Sequence, residues 1–164
     1  MDMHPLNPDD PQYIRYMQRS RDFYGAQGFK PYQWPHFDDI PFTRPGKPLN
    51  ECRVAIVTTA VAEGDTPKPV RTAKAYPLDQ VPERFRTDEL SWDKECTHTD
   101  DRESYFPLAS LRQLADEGTI GSLSPRFCFV PTEYSQRSTR EEDAPAILAA
   151  CQQDEVDVAI LVPL

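Results

Sequence analysis

The sequence predicts an α/β protein: a three-layer, open and mostly parallel sheet with flanking helices, preceded by an irregular N-terminal arm. Two observations support this fold class. Residues 52–60 (CRVAIVTTA) and 156–162 (VDVAILV) contain continuous apolar, β-branched runs, which are typical of strands buried on both faces. Strands and helices then alternate along the chain, an order that implies right-handed crossovers between parallel strands.

The first 50 residues form the predicted arm. They hold eight of the 17 prolines and nine aromatic residues, whereas disordered tails are poor in aromatic residues. A helix is predicted over 11–25, with Pro11 in its first turn and Gly25 as its stop. We therefore expect an ordered arm over 1–50, packed either on the domain 51–164 or on a neighbouring subunit.

The domain 51–164 is predicted to hold two good helices among its strands. The predicted elements are a strand at 52–60, a short edge strand at 72–78, a possible strand near 94–98, a helix at 106–118, a strand at 126–132, a helix at 143–154 and a final strand at 156–162. Pro77 fits an edge strand better than a central one. Pro107 and Gly118 mark the ends of the first helix, and Asp143 is the predicted N-cap of the second.

The charge of the chain excludes some functions. It carries 18 Lys and Arg against 27 Asp and Glu, a net charge of −9, and this excess lies entirely after residue 50. An acidic body argues against binding nucleic acid through phosphates and against anionic membranes. No apolar stretch is long enough to span a bilayer, and the N-terminus has no secretory signal pattern.

The cysteines and glycines bear on compartment and cofactor. Cys52, Cys96, Cys128 and Cys151 form no CxxC pair, so we expect reduced thiols and a cytoplasmic protein. Cys128 and Cys151 are expected in the core. No glycine-rich phosphate loop is present, so no nucleotide cofactor is expected.

Two similar strings, HFDD at 36–39 and HTDD at 98–101, are candidates for chemistry. Alternate residues of an extended segment point to the same side, so His98 and Asp100 can converge on one ligand, with Asp101 beside them. An imidazole and a carboxylate suit a divalent metal or an acid/base pair. The alternative is a solvated acidic loop, which is the favoured interpretation for His36.

Cys96 lies two residues before His98 and is a candidate nucleophile. A nucleophilic cysteine needs a lowered pKa, which a histidine can provide. The surrounding acidic residues favour the neutral thiol instead, so a partly buried structural cysteine remains the alternative.

The ends of the predicted strands provide candidate substrate-binding residues. Thr58 and Thr59 follow the first strand, and Glu133 follows the strand 126–132. In open α/β sheets, ligands bind at the carboxyl ends of the strands. Arg102 is suited to holding a substrate carboxylate, or alternatively pairs with a neighbouring aspartate.

These strings together resemble the selenoprotein B family of the glycine, sarcosine, betaine and D-proline reductases. The similar segments are PFTRPGKPLNECRVAIVTTA, THTDDRE, FPLASLRQLADEGTIGSLSPRFCFVPT and DEVDVAILVPL, within roughly residues 30–164. His98 with the following Asp100 and Asp101 is similar to a Ser-His-x-x-x-Asp stretch of the family, with shorter spacing. The resemblance implies reductive cleavage of a carbon–nitrogen bond.

In the family that this chain resembles, a redox-active selenocysteine or cysteine directly follows the strand similar to DVAILVPL. The sequence stops at Leu164, before that position. A truncated product, a split protein and a member that works without the residue are all compatible with this pattern.

Three functions are therefore open at the level of sequence. The first is a subunit of a reductase-like complex that binds substrate, while a partner supplies the redox thiol or selenol. The second is a metal-dependent hydrolase or lyase using His98 and Asp100, and the third is a non-catalytic scaffold whose arm mediates assembly, including assembly of a homo-oligomer.

Overall fold

A computed structural model describes residues 16–31, 35–40, 43–62, 72–86, 99–132 and 135–163. The chain divides between Ile40 and Pro41 into two compact units. The smaller unit contains the arm helix, and the larger contains the sheet. Within the described residues, no helix is both long enough and apolar enough to cross a membrane.

The described part of the arm unit includes the helix α1 (Tyr16–Ala26). The helix predicted over 11–25 is confirmed from residue 16 onward, and residues 11–15 lie outside the described residues. Gly25 is inside the helix rather than at its stop. The chain instead leaves the helix at Gly28, whose φ of 82° lies in the left-handed region that glycine tolerates.

In the described residues of the larger unit there are seven strands. They are β1 (Arg53–Thr58), β2 (Val61–Ala62), β3 (Lys74–Pro77), β4 (Phe85–Arg86), β5 (Ser122–Leu123), β6 (Arg126–Phe129) and β7 (Val158–Val162). In the main sheet, β1 pairs in parallel with β5, β6 and β7, and β3 pairs antiparallel with β6. β2 and β4 form a separate antiparallel ribbon. The predicted mostly parallel α/β fold is confirmed.

β5 and β6 lie on the same side of β1, as one strand interrupted at residues 124–125. The Val54 carbonyl accepts from Ser124 N at 2.8 Å, and the Thr58 carbonyl accepts from Val130 N at 2.9 Å. β7 takes the opposite side of β1. The predicted edge strand at 72–78 is confirmed as β3, with Pro77 as its last residue.

Helices cover both faces of the sheet. α2 (Leu108–Asp116) joins Val54, Ile56 and Phe127 in the main core through Leu108 and Leu111. α4 (Ala144–Gln153) borders an apolar groove with Val57, on the opposite face because successive strand residues alternate. The predicted helix 106–118 is confirmed. Gly118, with a φ of 72°, follows its end.

The prediction that the last strand is buried on both faces is wrong for β7. Val158, Ile160 and Val162 pack against the main core, whereas Ala159 and Leu161 on the other face are exposed. Leu161 keeps 75% of its surface accessible. The apolar run made a strand as expected, but among the described residues that strand lies at the edge of the sheet.

The predicted N-cap at Asp143 is also wrong. A turn of α3 (Gln136–Ser138) and a π-helical turn (Thr139–Asp143) lead directly into α4, so Asp143 has helical angles and its side chain makes no capping bond. The N-cap is Ser135, whose hydroxyl accepts a hydrogen bond from Ser138 N at 3.2 Å. Asp143 is instead buried beside the groove.

An ion pair connects the C-terminal end of α4 to β6. The Arg126 guanidinium donates to both carboxylate oxygens of Asp154 at 2.8 Å, and Ser124 Oγ donates to the same group at 3.2 Å. The hydrogen bond from Arg126 is the main cause that lowers the pKa of Asp154, against the opposing effect of burial.

We expect Asp154→Asn to lower the free energy of unfolding by about 1–3 kcal/mol at neutral pH, because charge-assisted hydrogen bonds are lost. Since the pKa of Asp154 is lowered in the folded state, its contribution is full above the unfolded pKa of about 3.9 and is lost as the pH falls through the folded pKa. Urea unfolding at a series of pH values measures this. The variant and the wild type should converge in acid.

Asp116→Asn is the control, since it makes the same change in net charge at an exposed carboxylate of α2. A difference between wild type and Asp154→Asn that stayed constant down to pH values below the folded pKa would contradict this assignment.

Candidate functional site

The end of β1 places two threonines differently. Thr58 is 1% exposed, and its Oγ1 accepts a hydrogen bond from Ala60 N at 3.1 Å, so its hydroxyl stabilises the turn after the strand. Thr59 is half-buried at the carboxyl end of the same strand. Of the two, Thr59 is the better placed to contact a ligand.

The candidate residues at 100–102 lie just before α2. Asp100 and Asp101 are exposed, and the Asp101 carboxylate accepts from Glu103 N at 3.1 Å, which caps the short 3₁₀ turn Arg102–Ser104. Arg102 is half-buried, and its Nη1 donates to the Pro82 carbonyl at 2.9 Å. This bond uses one of the five N–H donors of the guanidinium.

An aromatic cluster connects this segment to the end of β1. Phe85 contacts Phe106 with ring centroids 4.9 Å apart and Tyr105 at 6.0 Å, and Ala60 belongs to the same buried core. Phe85 also lies opposite Ala62 in the ribbon of β2 and β4. The structure therefore brings the chain after β1 and the chain before α2 to one region.

Tyr105 makes a hydrogen bond to Thr99, the residue that follows His98 of the HTDD string. Its hydroxyl donates to the Thr99 carbonyl at 3.2 Å, and its ring is 3% exposed. Burial raises the pKa of the phenol. Tyr105 was not among the predicted site residues, because a single aromatic residue before a helix carries no pattern that distinguishes a positioning role from ordinary packing.

Glu103 is a second residue that the sequence analysis missed. Its carboxylate accepts from Ala109 N, Ser110 N and Ser110 Oγ at 3.0–3.4 Å, at the N-terminus of α2. Burial raises the pKa of Glu103, but these hydrogen bonds outweigh it and the pKa lies below its usual value. Pro107 at the N-cap position has no side-chain acceptor, so a carboxylate from outside the helix takes that role.

Three of the predicted site residues, Cys96, His98 and Glu133, lie outside the described residues. Their proposed roles remain predictions. Within the described ranges, no group of three or more His, Cys, Asp and Glu side chains is arranged to hold a metal ion. His36 pairs with Asp38 at 3.3 Å, and both side chains are exposed, in keeping with a solvated loop.

The described cysteines are buried or partly buried thiols. Cys52 is fully buried and its Sγ donates to the Pro48 carbonyl at 3.3 Å. Burial is the main cause that raises the pKa of Cys128, to about 11, and of Cys151. Since the thiolate is the reactive form, the raised pKa makes Cys128 and Cys151 poor redox groups at neutral pH, and Cys52 is enclosed by the core.

Comparison with known proteins identifies a family. Residues 24–163 match the family model described as Glycine/sarcosine/betaine reductase selenoprotein B (GRDB). No curated protein and no solved structure matches the chain.

Proposed function

Because the chain belongs to the glycine/sarcosine/betaine reductase selenoprotein B family, we propose that it is the substrate-binding component of a reductase complex in which another component supplies the redox thiol or selenol. Proteins of this family are components of multi-subunit reductase complexes. The state of the cysteines is the observation that supports this division of labour. Among the cysteines that the structure describes, Cys52 and Cys128 are buried and Cys151 is partly buried, and burial raises the pKa of Cys128 and Cys151.

The proposed substrate is a small amino acid or its N-methylated derivative, the class in the family's description. Such molecules carry a carboxylate and a positively charged nitrogen. In the proposal, the Arg102 guanidinium holds the carboxylate and Asp100 faces the cationic nitrogen, because Arg102 is fixed by Pro82 while Asp100 is exposed beside it. Thr59 contributes a hydroxyl from the adjacent strand end.

His98 is the proposed proton donor. The thiol or selenol of the other component attacks the carbon, the electron pair of the carbon–nitrogen bond passes to the positively charged nitrogen, and the neutral amine that departs then takes a proton from a nearby acid. Asp101 orients this segment through its bond to Glu103 N. Glu133 remains a candidate substrate-binding residue, and Cys96 remains a candidate nucleophile.

Arg102→Leu tests the substrate-binding role. We expect it to weaken the binding of glycine, sarcosine or betaine to the isolated chain about tenfold or more, because charge-assisted hydrogen bonds to the carboxylate are lost. Calorimetric titration measures the affinity. A melting curve checks that the variant still folds without the hydrogen bond from Arg102 to the Pro82 carbonyl. With a dithiol reductant, the isolated wild-type chain should bind the amino acid without releasing amine.

Arg112→Leu on α2 is the matched control, since it removes an exposed arginine elsewhere in the domain. Equal affinity in the two variants, or no binding by a folded wild type, would overturn the substrate-binding role. Amine release by the chain alone would overturn the need for a second component and leave the binding role standing.

A further inference from the structure

The strand β6 and the helix α4 each carry a cysteine on the face where they meet. In the parallel register of β1 and β6, Cys128 lies beside Val57, and Val57 lines the groove that α4 borders. Residues that are paired in neighbouring strands project to the same face of a sheet, so Cys128 projects toward α4. Cys151 lines the same groove from the helix.

The thiols of Cys128 and Cys151 are in contact with each other. Burial is the main cause that raises the pKa of both thiols, and a hydrogen bond between the two raises the pKa of Cys128 further and lowers that of Cys151. Both effects are expected when Cys128 donates and the Cys151 sulfur accepts, because that sulfur is then better able to carry negative charge.

The ion pair next to these cysteines holds the helix and the strand together. Arg126 and Cys128 are two residues apart on one face of β6, and Cys151 and Asp154 are three residues apart on one face of α4. Arg126 donates to both carboxylate oxygens of Asp154 at 2.8 Å and to the Ala150 carbonyl at 3.3 Å. These bonds fix the position of α4 on β6 at the two thiols.

We propose that Cys128 and Cys151 form a redox modification site, at which a low-molecular-weight disulfide oxidises the two thiols to a disulfide bond between β6 and α4. In the first step, the Cys151 thiolate attacks one sulfur of the small disulfide, whose sulfur–sulfur bond breaks. The Cys128 thiolate then attacks Cys151 Sγ and expels the second half. The protein loses two electrons to the small disulfide, and the two protons pass to the two thiols that are released.

The difference in exposure sets the order of these steps. Cys151 is half-buried and borders the groove, so an oxidant reaches it from solvent, whereas Cys128 is 4% exposed and lies beneath it. The raised pKa of both thiols leaves little thiolate at neutral pH, so the exchange is slow. The equilibrium is favourable all the same, because the fold already holds the second thiol against the first. The site is therefore modified slowly and does not turn over.

The proposed bond changes the stability of the domain. It closes the chain from residue 128 to residue 151 into a loop that includes α3, the π-helical turn and most of α4. A covalent link restricts the unfolded chain, so the melting temperature should rise by about 5–10 °C on oxidation.

Oxidation of the native full chain by glutathione disulfide tests the proposal. After the remaining thiols are blocked, mass spectrometry of peptides should find the bond between Cys128 and Cys151 about tenfold or more in excess over glutathione attached to Cys151. Cys52 is the internal control, because it is fully buried and its thiol donates to the Pro48 carbonyl, so it should stay reduced. Dithiothreitol should reverse both the bond and the rise in melting temperature.

Two variants separate the roles of the cysteines. Cys128→Ala should stop with glutathione attached to Cys151, and Cys151→Ala should leave Cys128 reduced because the oxidant cannot reach it. Cys96→Ala is the control that removes another thiol, and it should form the bond as fast as the wild type.

The wild type alone is enough to overturn the proposal. It fails if both thiols stay reduced in the native chain, if oxidation ends with glutathione attached to Cys151, or if the bond forms without raising the melting temperature. Attachment of glutathione to Cys128 in Cys151→Ala, as fast as to Cys151 in Cys128→Ala, would equally contradict the assigned order.

Discussion

Phe106→Ala is expected to lower the free energy of unfolding by about 3–5 kcal/mol, a large part of the total for a domain of this size. Phe106 is fully buried and contacts Phe85 and Phe127 with ring centroids 4.9 and 5.0 Å apart. Truncation leaves a cavity between the sheet and α2 that the surrounding strands cannot close. Urea unfolding followed by circular dichroism measures the loss.

The same substitution should also disturb the proposed site. Phe106 follows the 3₁₀ turn that carries Arg102, and its N–H donates to the Arg102 carbonyl at 2.7 Å. Leu49→Ala is the control, since that side chain is half-exposed and its truncation should cost less than about 0.5 kcal/mol. If Phe106→Ala lowered the free energy of unfolding by less than about 1 kcal/mol, the aromatic cluster would not be a main source of the stability of the core.

Gly121→Ala is expected to lower the free energy of unfolding by about 2–4 kcal/mol. A Cβ at Gly121 would lie 2.7 Å from the Glu51 carbonyl carbon and 2.9 Å from the backbone nitrogen and oxygen of Cys52. Backbone atoms cannot move aside as the end of a side chain can, so β5 would shift from β1. The shift also weakens the hydrogen bond from Gly121 N to the Cys52 carbonyl, now 3.0 Å long.

Gly46→Ala provides the matched comparison for this prediction. Nothing lies within 4 Å of a Cβ at Gly46, and its backbone is not in the left-handed region. This variant should be as stable as the wild type or up to about 1 kcal/mol more stable, because alanine restricts the unfolded chain. Equal melting of the two alanine variants would show that β1 and β5 do not approach as closely as described.

Local sequence signals predicted the elements whose ends are set locally. α2 lies within the predicted 106–118 because Pro107 and Gly118 impose their conformations wherever they occur. Asp143 shows where such signals mislead. An aspartate before an apolar run resembles an N-cap, but Ser135 had already started the helix through a π-helical turn.

The sequence predicted which types of residue the candidate site contains, but only part of how these residues are arranged in the fold. The end of β1 and the segment at 100–102 were identified from strand ends and charge patterns. The roles of Thr58 in capping its own turn and of Glu103 in capping α2 depend on hydrogen bonds that a linear pattern does not contain. The two-residue strands β2 and β4, which bring Phe85 to the site, are too short to give a periodicity.

The α/β class, the order of the main strands and helices, and the family resemblance that the family match confirmed were all predictable from the order of the amino acids alone. Those properties follow from apolar periodicity, prolines, glycines and motifs, all of which act over a few residues. Only the tertiary structure decided that β7 lies at the edge of the described sheet and that Arg102 is held against Pro82. An apolar run predicts a buried strand. Which of the faces and edges of that strand are covered depends on the elements that pack beside it.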